Sequence, residues 1–162
     1  MTQYLITGAN RGLGLEFVRQ LLERGERVIA ACRHPGRAGA LNRFSGAFPG
    51  HLKVLPLDVS EPRSITAFAS EVAMLESPID VLIHNAGMLV NGEEFGNVEA
   101  QALSPTFATN TMGPFLLSQA LATQLKDGGK VIAISSGLGS IQRTQRFGTP
   151  SYDISKAALN MA

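Results

Sequence analysis

The sequence predicts an α/β fold, a doubly wound parallel sheet with helices on both faces, and three observations carry that prediction. Short apolar runs bounded by turn residues alternate with longer amphipathic stretches, the order expected of repeated strand–helix units. Each short run is nearly continuous in apolar residues, as in strands covered on both faces. The junction between the first run and the first amphipathic stretch is a glycine-rich turn.

The elements follow in chain order. Residues 3–7 (QYLIT), 27–33 (RVIAACR), 52–59 (LKVLPLDV), 80–85 (DVLIHN) and 130–136 (KVIAISS) supply five strands. Between the first two, residues 14–25 place Leu15, Val18, Leu21 and Leu22 on one helical face, and Gly25 stops the helix. Residues 60–75 open on Ser60 as an N-cap with Pro62 in the first turn. A single long helix is expected from about Glu99 to Lys126, ended by Asp-Gly-Gly at 127–129, and a last helix begins near Ser151. Between Pro35 and Gly50, Pro, Gly and Ser dilute any helical period. With 162 residues and 44% hydrophobic content, residues 1–162 form one domain around one core.

Composition excludes several classes of partner. Fourteen basic and thirteen acidic residues are scattered rather than clustered, so nothing marks a nucleic-acid or anionic-membrane surface. No apolar run reaches the length of a membrane span or a signal core, and the chain reads as cytoplasmic. Cys32 is the one cysteine, which excludes an internal disulfide and suits a reducing compartment. His34, His51 and His84 are isolated, and no group has metal-ligand spacing.

The stretch TGANRGLG, Thr7 to Gly14, joins the first strand to the first helix. Glycine at positions 8, 12 and 14 lets the backbone turn sharply and approach a pyrophosphate, while the helix presents its free N–H groups to that anion. This is the signature of a Rossmann-type dinucleotide site, with Asn10, Arg11 and Leu13 in the same loop. At the end of the second strand, beside the adenosine ribose of such folds, stand Cys32 and Arg33 in place of a carboxylate. An acidic residue would repel a 2′-phosphate; Arg33, helped by Arg11, would bind one, which favours NADP over NAD. As an alternative, both arginines serve as solvated loop charges. Farther along, Tyr152 and Lys156 stand four apart on the last helix and so share a face, a phenol and an ammonium aimed together.

Six motifs, TGANRGLG, LDVS, HNAG, NTMGPF, ISSGLGS and YDISK, occur in the order of the short-chain dehydrogenase/reductases, and the resemblance covers the whole chain. Within that family the sequence is most similar to the small carbonyl-reductase branch of sniffer-type reductases and C-factor proteins, on NRGLG, ACRHP and SSGLGSI. The resemblance implies roles for individual residues. Tyr152 would exchange a proton with the substrate oxygen; a free phenol titrates near 10, so use near neutrality requires a neighbouring positive charge, which Lys156 would supply. Lys156 would also hydrogen-bond the nicotinamide ribose. Ser136 would hydrogen-bond the substrate oxygen, with Ser135 and Ser140 as its rivals if the register differs, and Asn110 would hold a water linking the lysine to solvent. Asp58 would meet the adenine, although it also fits an ordinary helix cap, Val59 beside it would bind the cofactor, and Asn85, Ala86 and Gly87 would line the cofactor's middle.

The chain departs from the family pattern in three places. His84 replaces an asparagine of the commoner motif, and sixteen positions separate Ser136 from Tyr152, a slightly long loop. Family members also continue well past the catalytic helix with two more strands and a substrate-covering segment. The expectation is therefore the amino-terminal part of a longer reductase, with the fifth strand as a bare apolar edge and the substrate side open to water. The activity implied is NADP-dependent interconversion of a small-molecule carbonyl and a secondary alcohol. The alternatives are a non-catalytic NADP(H)-binding regulatory protein or an inactive fragment. Family members form dimers or tetramers through the helices of Asn110 and Tyr152, so a homodimer or homotetramer is expected.

Overall fold

The computed structural model describes residues 1–162. Five parallel strands, β1 (Gln3–Thr7), β2 (Arg27–Cys32), β3 (Leu52–Pro56), β4 (Ile79–His84) and β5 (Leu125–Ala133), form one sheet in the order β3-β2-β1-β4-β5. The strand order reverses between β1 and β4, and in open sheets of this kind the crevice at that switch point, at the strands' carboxyl ends, is where ligands bind. No helix is long and apolar enough to cross a membrane.

Alternation along the strands divides the core into two halves. Leu5, Ile29 and Leu82 point to one face, where α3 (Pro62–Ala73) and α5 (Gly113–Ala120) bury Ile65, Phe68, Val72 and Leu117. Ile6, Val28 and Ile83 point to the other, against Val18 and Leu22 of α1 (Gly12–Glu23) and Leu41 of α2 (Gly39–Ala47). Each fully buried aliphatic or Phe side chain contributes about 1.5–3 kcal/mol relative to exposure. The remaining helices are α4 (Ala100–Phe107) and α6 (Pro150–Met161), and α6 packs beside α4.

Several boundaries differ from the sequence reading, each for a physical reason. Ser60 does not cap α3: its N–H and hydroxyl both bond Asp58 Oδ1, at 3.0 and 2.6 Å, in a turn preceding the helix, and Glu61 holds the cap position. β3 ends at Pro56, which has no N–H to continue the ladder. The stretch at 35–50 is helical after all, a single 3₁₀ turn at Pro35–Arg37 followed by α2. The long helix ends at Ala120 rather than near Lys126, and a π-helical turn, Ala108–Met112, divides it into α4 and α5.

β5 begins five residues before the apolar run. Leu125 already pairs with Ile79, and the register then shifts so that Lys130 pairs with Val81. The Asp-Gly-Gly expected to stop a helix instead forms a bulge within the strand, with Gly128 at φ +75°. β5 is an edge of the sheet, and Val131 and Ile132 remain 50% and 41% exposed there.

Candidate active site

Hydrogen bonds between β1 and the end of β4 build the glycine turn. The Thr7 hydroxyl accepts from the backbone N–H groups of Asn85 (3.1 Å) and Ala86 (3.0 Å). The Asn85 side-chain amide donates to the carbonyls of Thr7 (2.9 Å) and Gly8 (3.1 Å). Asn85 thus acts by holding the loop in shape. The glycines are what this proximity demands: a Cβ at Gly14 would stand 2.4 Å from Asn85 Nδ2, and one at Gly8, where φ is +64°, would stand 2.8 Å from Ala86 Cα. Gly12 is different, since a Cβ there would meet nothing within 4 Å.

Above this turn lies a cleft of about 590 Å³ at the switch point. The sequence-predicted residues Gly8, Asn10, Arg11, Gly12, Leu13 and Arg33 line it from the β1 and β2 side. Asp58, Val59, Asn85, Ala86 and Gly87 line it from the β3 and β4 side. Gly14 lies beneath the loop, and Tyr152 and Lys156 are not among the lining residues. Sequence reasoning missed Leu57 and Ser60, which begin and end the LDVS motif, and Met88, Leu89 and Thr109, which lie just outside HNAG and NTMGPF.

The cleft fits a dinucleotide on three counts. No side chain caps α1, so its first N–H groups are free for an anion. Arg11 and Arg33 are exposed at the rim, and neither pairs with a carboxylate. Asp58 Oδ1 accepts from Ser60 while its own N–H donates to Ser64 Oγ (2.9 Å), which fixes the carboxylate and leaves Oδ2 without a protein partner.

The second half of the site is carried by α6. Lys156 is only 5% exposed, and its Nζ donates to the Ile134 carbonyl just after β5 at 2.7 Å and lies 5.6 Å from the centroid of the Tyr152 ring. Burial holds its ammonium below the ordinary lysine range. A Cβ at Gly87 would lie 4.0 Å from Lys156 Nζ and 3.4 Å from Asn110 Oδ1, so the floor of the cleft, the lysine and the asparagine meet at one point. The Tyr152 ring is half-buried, and its hydroxyl makes no hydrogen bond within the protein.

Asn110 is fully buried, and its side chain is engaged by the protein itself. Oδ1 accepts from Met88 N (2.9 Å), and Nδ2 donates to Met88 O (2.8 Å) and Ser155 Oγ (2.9 Å). Thr111, next in the π turn, donates its hydroxyl to the Ser155 carbonyl at 2.8 Å. These bonds lash the segment after β4 to α6. Ser155 lies inside the YDISK motif, three positions after Tyr152, a spacing that offered a signal the sequence reading did not take up.

Of the candidate serines, Ser136 accepts from Leu138 N (3.1 Å) and keeps its hydroxyl proton free. Ser135 donates to Asn160 Oδ1 (2.5 Å) and is therefore occupied. The Ser140 side chain makes no hydrogen bond, and its carbonyl accepts from Thr144 Oγ1.

A parallel sheet with a glycine-lined cleft at its switch point, and a Tyr–Lys helix that meets the cleft at Gly87, is a Rossmann-type scaffold with a candidate acid/base pair beside it. The profile of the short chain dehydrogenase family matches residues 2–162, and the chain belongs to the short-chain dehydrogenase/reductase family. It is 33% identical over 161 residues, 99% of its length, to 1-hydroxy-2-glutathionyl-2-methyl-3-butene dehydrogenase of Rhodococcus sp. (strain AD45), of which it spans 68%. Among solved structures it is similar to the NADPH-bound carbonyl reductase from chicken fatty liver, with TM-score 0.89, 38% identity, and 99% of this chain and 68% of the other covered. It is also similar to the carbonyl reductase Sniffer of D. melanogaster, with TM-score 0.91, 30% identity, and 99% and 72% covered. The chain spans about two thirds of the length of the curated relatives it matches, 63% for an oxidoreductase of Schizosaccharomyces pombe.

Proposed function

We propose that this chain carries the cofactor site and acid/base residues of an NADP-dependent oxidoreductase that interconverts a small-molecule carbonyl and a secondary alcohol. The observation that carries this reading is the meeting of Gly87, Asn110 and Lys156 at one end of a cleft whose other end offers unpaired Arg33 and Arg11. The NADPH-bound chicken carbonyl reductase supports the choice of cofactor.

Bound NADPH supplies the hydride, two electrons and a proton, that reduces the carbonyl carbon. Tyr152 gives the phenolic proton to the carbonyl oxygen, completing the alcohol, and recovers it in the reverse direction. Its hydroxyl is available because nothing in the protein binds it. Ser136, whose oxygen already accepts from Leu138, donates its remaining proton to the same substrate oxygen and holds it in place. Lys156 favours the phenolate through its positive charge, which the Ile134 carbonyl keeps in position. Asn110 orients Met88 and Ser155, and so the cleft wall and the helix of Tyr152. Arg33 and Arg11 bind the 2′-phosphate, Asp58 and Val59 meet the adenine, and the free N–H groups of α1 bind the pyrophosphate.

A second reading, NADP(H) binding without turnover, draws on the cleft's lining, which includes neither Tyr152 nor Lys156. Tyr152→Phe separates the two. The reductase reading requires loss of nearly all ketone reduction with NADPH binding unchanged; a biological effect that survives the substitution supports the binding role. Exposed Met112 and Phe115, with Ile154 on α6, support self-association of the chain into a dimer or tetramer. The single cysteine, buried Cys32, supports a reducing, cytoplasmic setting.

A further inference from the structure

The helix that carries Tyr152 does not cap itself. Thr149 holds the N-cap position of α6, yet its hydroxyl donates to Asp153 Oδ1 (2.9 Å) and accepts nothing from the first-turn N–H groups. Pro150 has no N–H, so the first orphan donor is Ser151. Its partner comes from 58 residues earlier in the chain: Glu93 Oε2 accepts from Ser151 N at 3.2 Å, and Glu93 Oε1 accepts from the Ser151 hydroxyl. Ser151 is 2% exposed, and the carboxylate faces the positive end of the helix.

Glu93 belongs to the segment at 85–99, which has no regular secondary structure. That segment is fixed at its start by two bonds between the Met88 backbone and the Asn110 side chain, which accepts from Met88 N and donates to Met88 O. It meets the approach to α6 a second time through Phe95, whose ring packs edge-on against Phe147 with centroids 5.6 Å apart. One polar and one aromatic contact therefore join the same strap to the same end of the same helix. Residue 152 is the next after the one that Glu93 holds.

We infer that Glu93 is a positioning residue for the proposed reduction: it caps the catalytic helix from outside and fixes where the Tyr152 hydroxyl stands relative to the cleft. The role of Tyr152 rests on the function proposed above, whereas the cap itself does not. Removing the carboxylate frees the first turn of α6, which moves the acid/base group and leaves the glycine loop and arginines untouched.

The test compares wild type with Glu93→Ala, Glu93→Gln, Ser151→Ala and the Glu93→Ala/Ser151→Ala double variant. Amide hydrogen exchange is read at residues 151–153, and steady-state reduction of the ketone 4-nitroacetophenone by NADPH is followed in parallel. In Glu93→Ala, exchange at Ser151 should accelerate at least tenfold and kcat should fall about tenfold, with KM for NADPH within twofold of wild type. Glu93→Gln, which keeps an acceptor for the N–H, should recover part of both losses and tests the proposal if the alanine variant does not fold. The double variant should be no slower than Glu93→Ala alone. Wild-type exchange in Glu93→Ala would overturn the cap, and normal exchange loss with unchanged kcat would overturn the positioning role. Independent, multiplying effects of the two substitutions would overturn the pairing. A wild-type protein that binds NADPH, reduces no carbonyl and still shows the exchange difference would sink the proposed function while leaving the cap in place.

Discussion

The Nζ of Lys156 donates to the carbonyl of Ile134 at 2.7 Å, so the ammonium on α6 is tied to the residue that follows β5. The lysine carries no carboxylate partner; one backbone dipole and the neighbouring phenol ring hold it in a site that penalises its charge.

Lys156→Met tests that arrangement. The methionine keeps the stem and removes a desolvated charge, so Tm should stay level or rise. Carbonyl reduction should fall by about 10²–10³-fold, as when an oriented electrostatic group is deleted from a reaction centre. Because burial lowers the folded-state pKa of Lys156, the unfolded chain binds more protons as pH approaches 10.5. Wild-type stability should therefore gain from this residue with rising pH in that window, and the variant should lack the gain; chemical denaturation at pH 8 and 10 measures both.

On the proposed reading, Arg33 selects NADP over NAD. Arg33→Ala should weaken NADPH binding about 10- to 100-fold, the equivalent of one charge-assisted pair, while NADH binding hardly changes. Titration of reduced-nicotinamide fluorescence with each cofactor reads the ratio, and equal losses for both would remove Arg33 from the 2′-phosphate site.

At Gly14 even a methyl group is too large, since a Cβ would stand 2.4 Å from Asn85 Nδ2 and 2.5 Å from the Gly8 carbonyl. Gly14→Ala should destabilise the fold by about 1–3 kcal/mol through overpacking. It should also abolish NADPH binding by displacing the loop. Gly12→Ala, whose Cβ meets no atom, should weaken binding with less effect on urea unfolding, its strain confined to the positive φ.

His84 gives the fold an acid limit. Ser118 donates its hydroxyl proton to the Pro114 carbonyl, so the histidine's Nε2 must be the donor in their 2.8 Å bond, and Nδ1 is left buried without a partner. Burial lowers the imidazole's pKa from 6.5 to about 4. Stability from this group is complete above pH 6.5 and is lost as pH falls toward 4, by about 2 kcal/mol at pH 5. Urea unfolding of wild type and His84→Asn at pH 7 and 5 should show a shallower acid loss in the variant.

Much of this molecule was legible because its strands are continuous apolar runs and its glycines sit where a turn and a close approach require them. β1, β2 and β4 lie within a residue or two of their runs for that reason. β5 was misread at its start because Lys126, Asp127 and Lys130 lie on an exposed edge, where burial imposes no apolar pattern. The π turn escaped because one extra residue in a five-residue span barely disturbs a helical period, and Asn110 and Thr111 look like surface polar residues until Met88 and Ser155 are seen against them. Ser60 fits the local pattern of a cap, but its N–H and hydroxyl both donate to Asp58 Oδ1 in a turn that ends before the helix starts, and Glu61 takes the cap position. Glu93 left no local sign at all, since its partner is 58 residues away.

The π turn at Ala108–Met112 also sets the angular phase of everything that follows it. An α-helix advances 100° per residue, so deleting one residue from this turn would rotate α5 by that angle about its axis relative to α4. Leu117, now fully buried against the sheet, would swing toward solvent, or else Asn110 would turn away from Met88. The core and the active site thus make competing demands on the azimuth of one continuous rod, and the extra residue is the gear tooth that lets both be met.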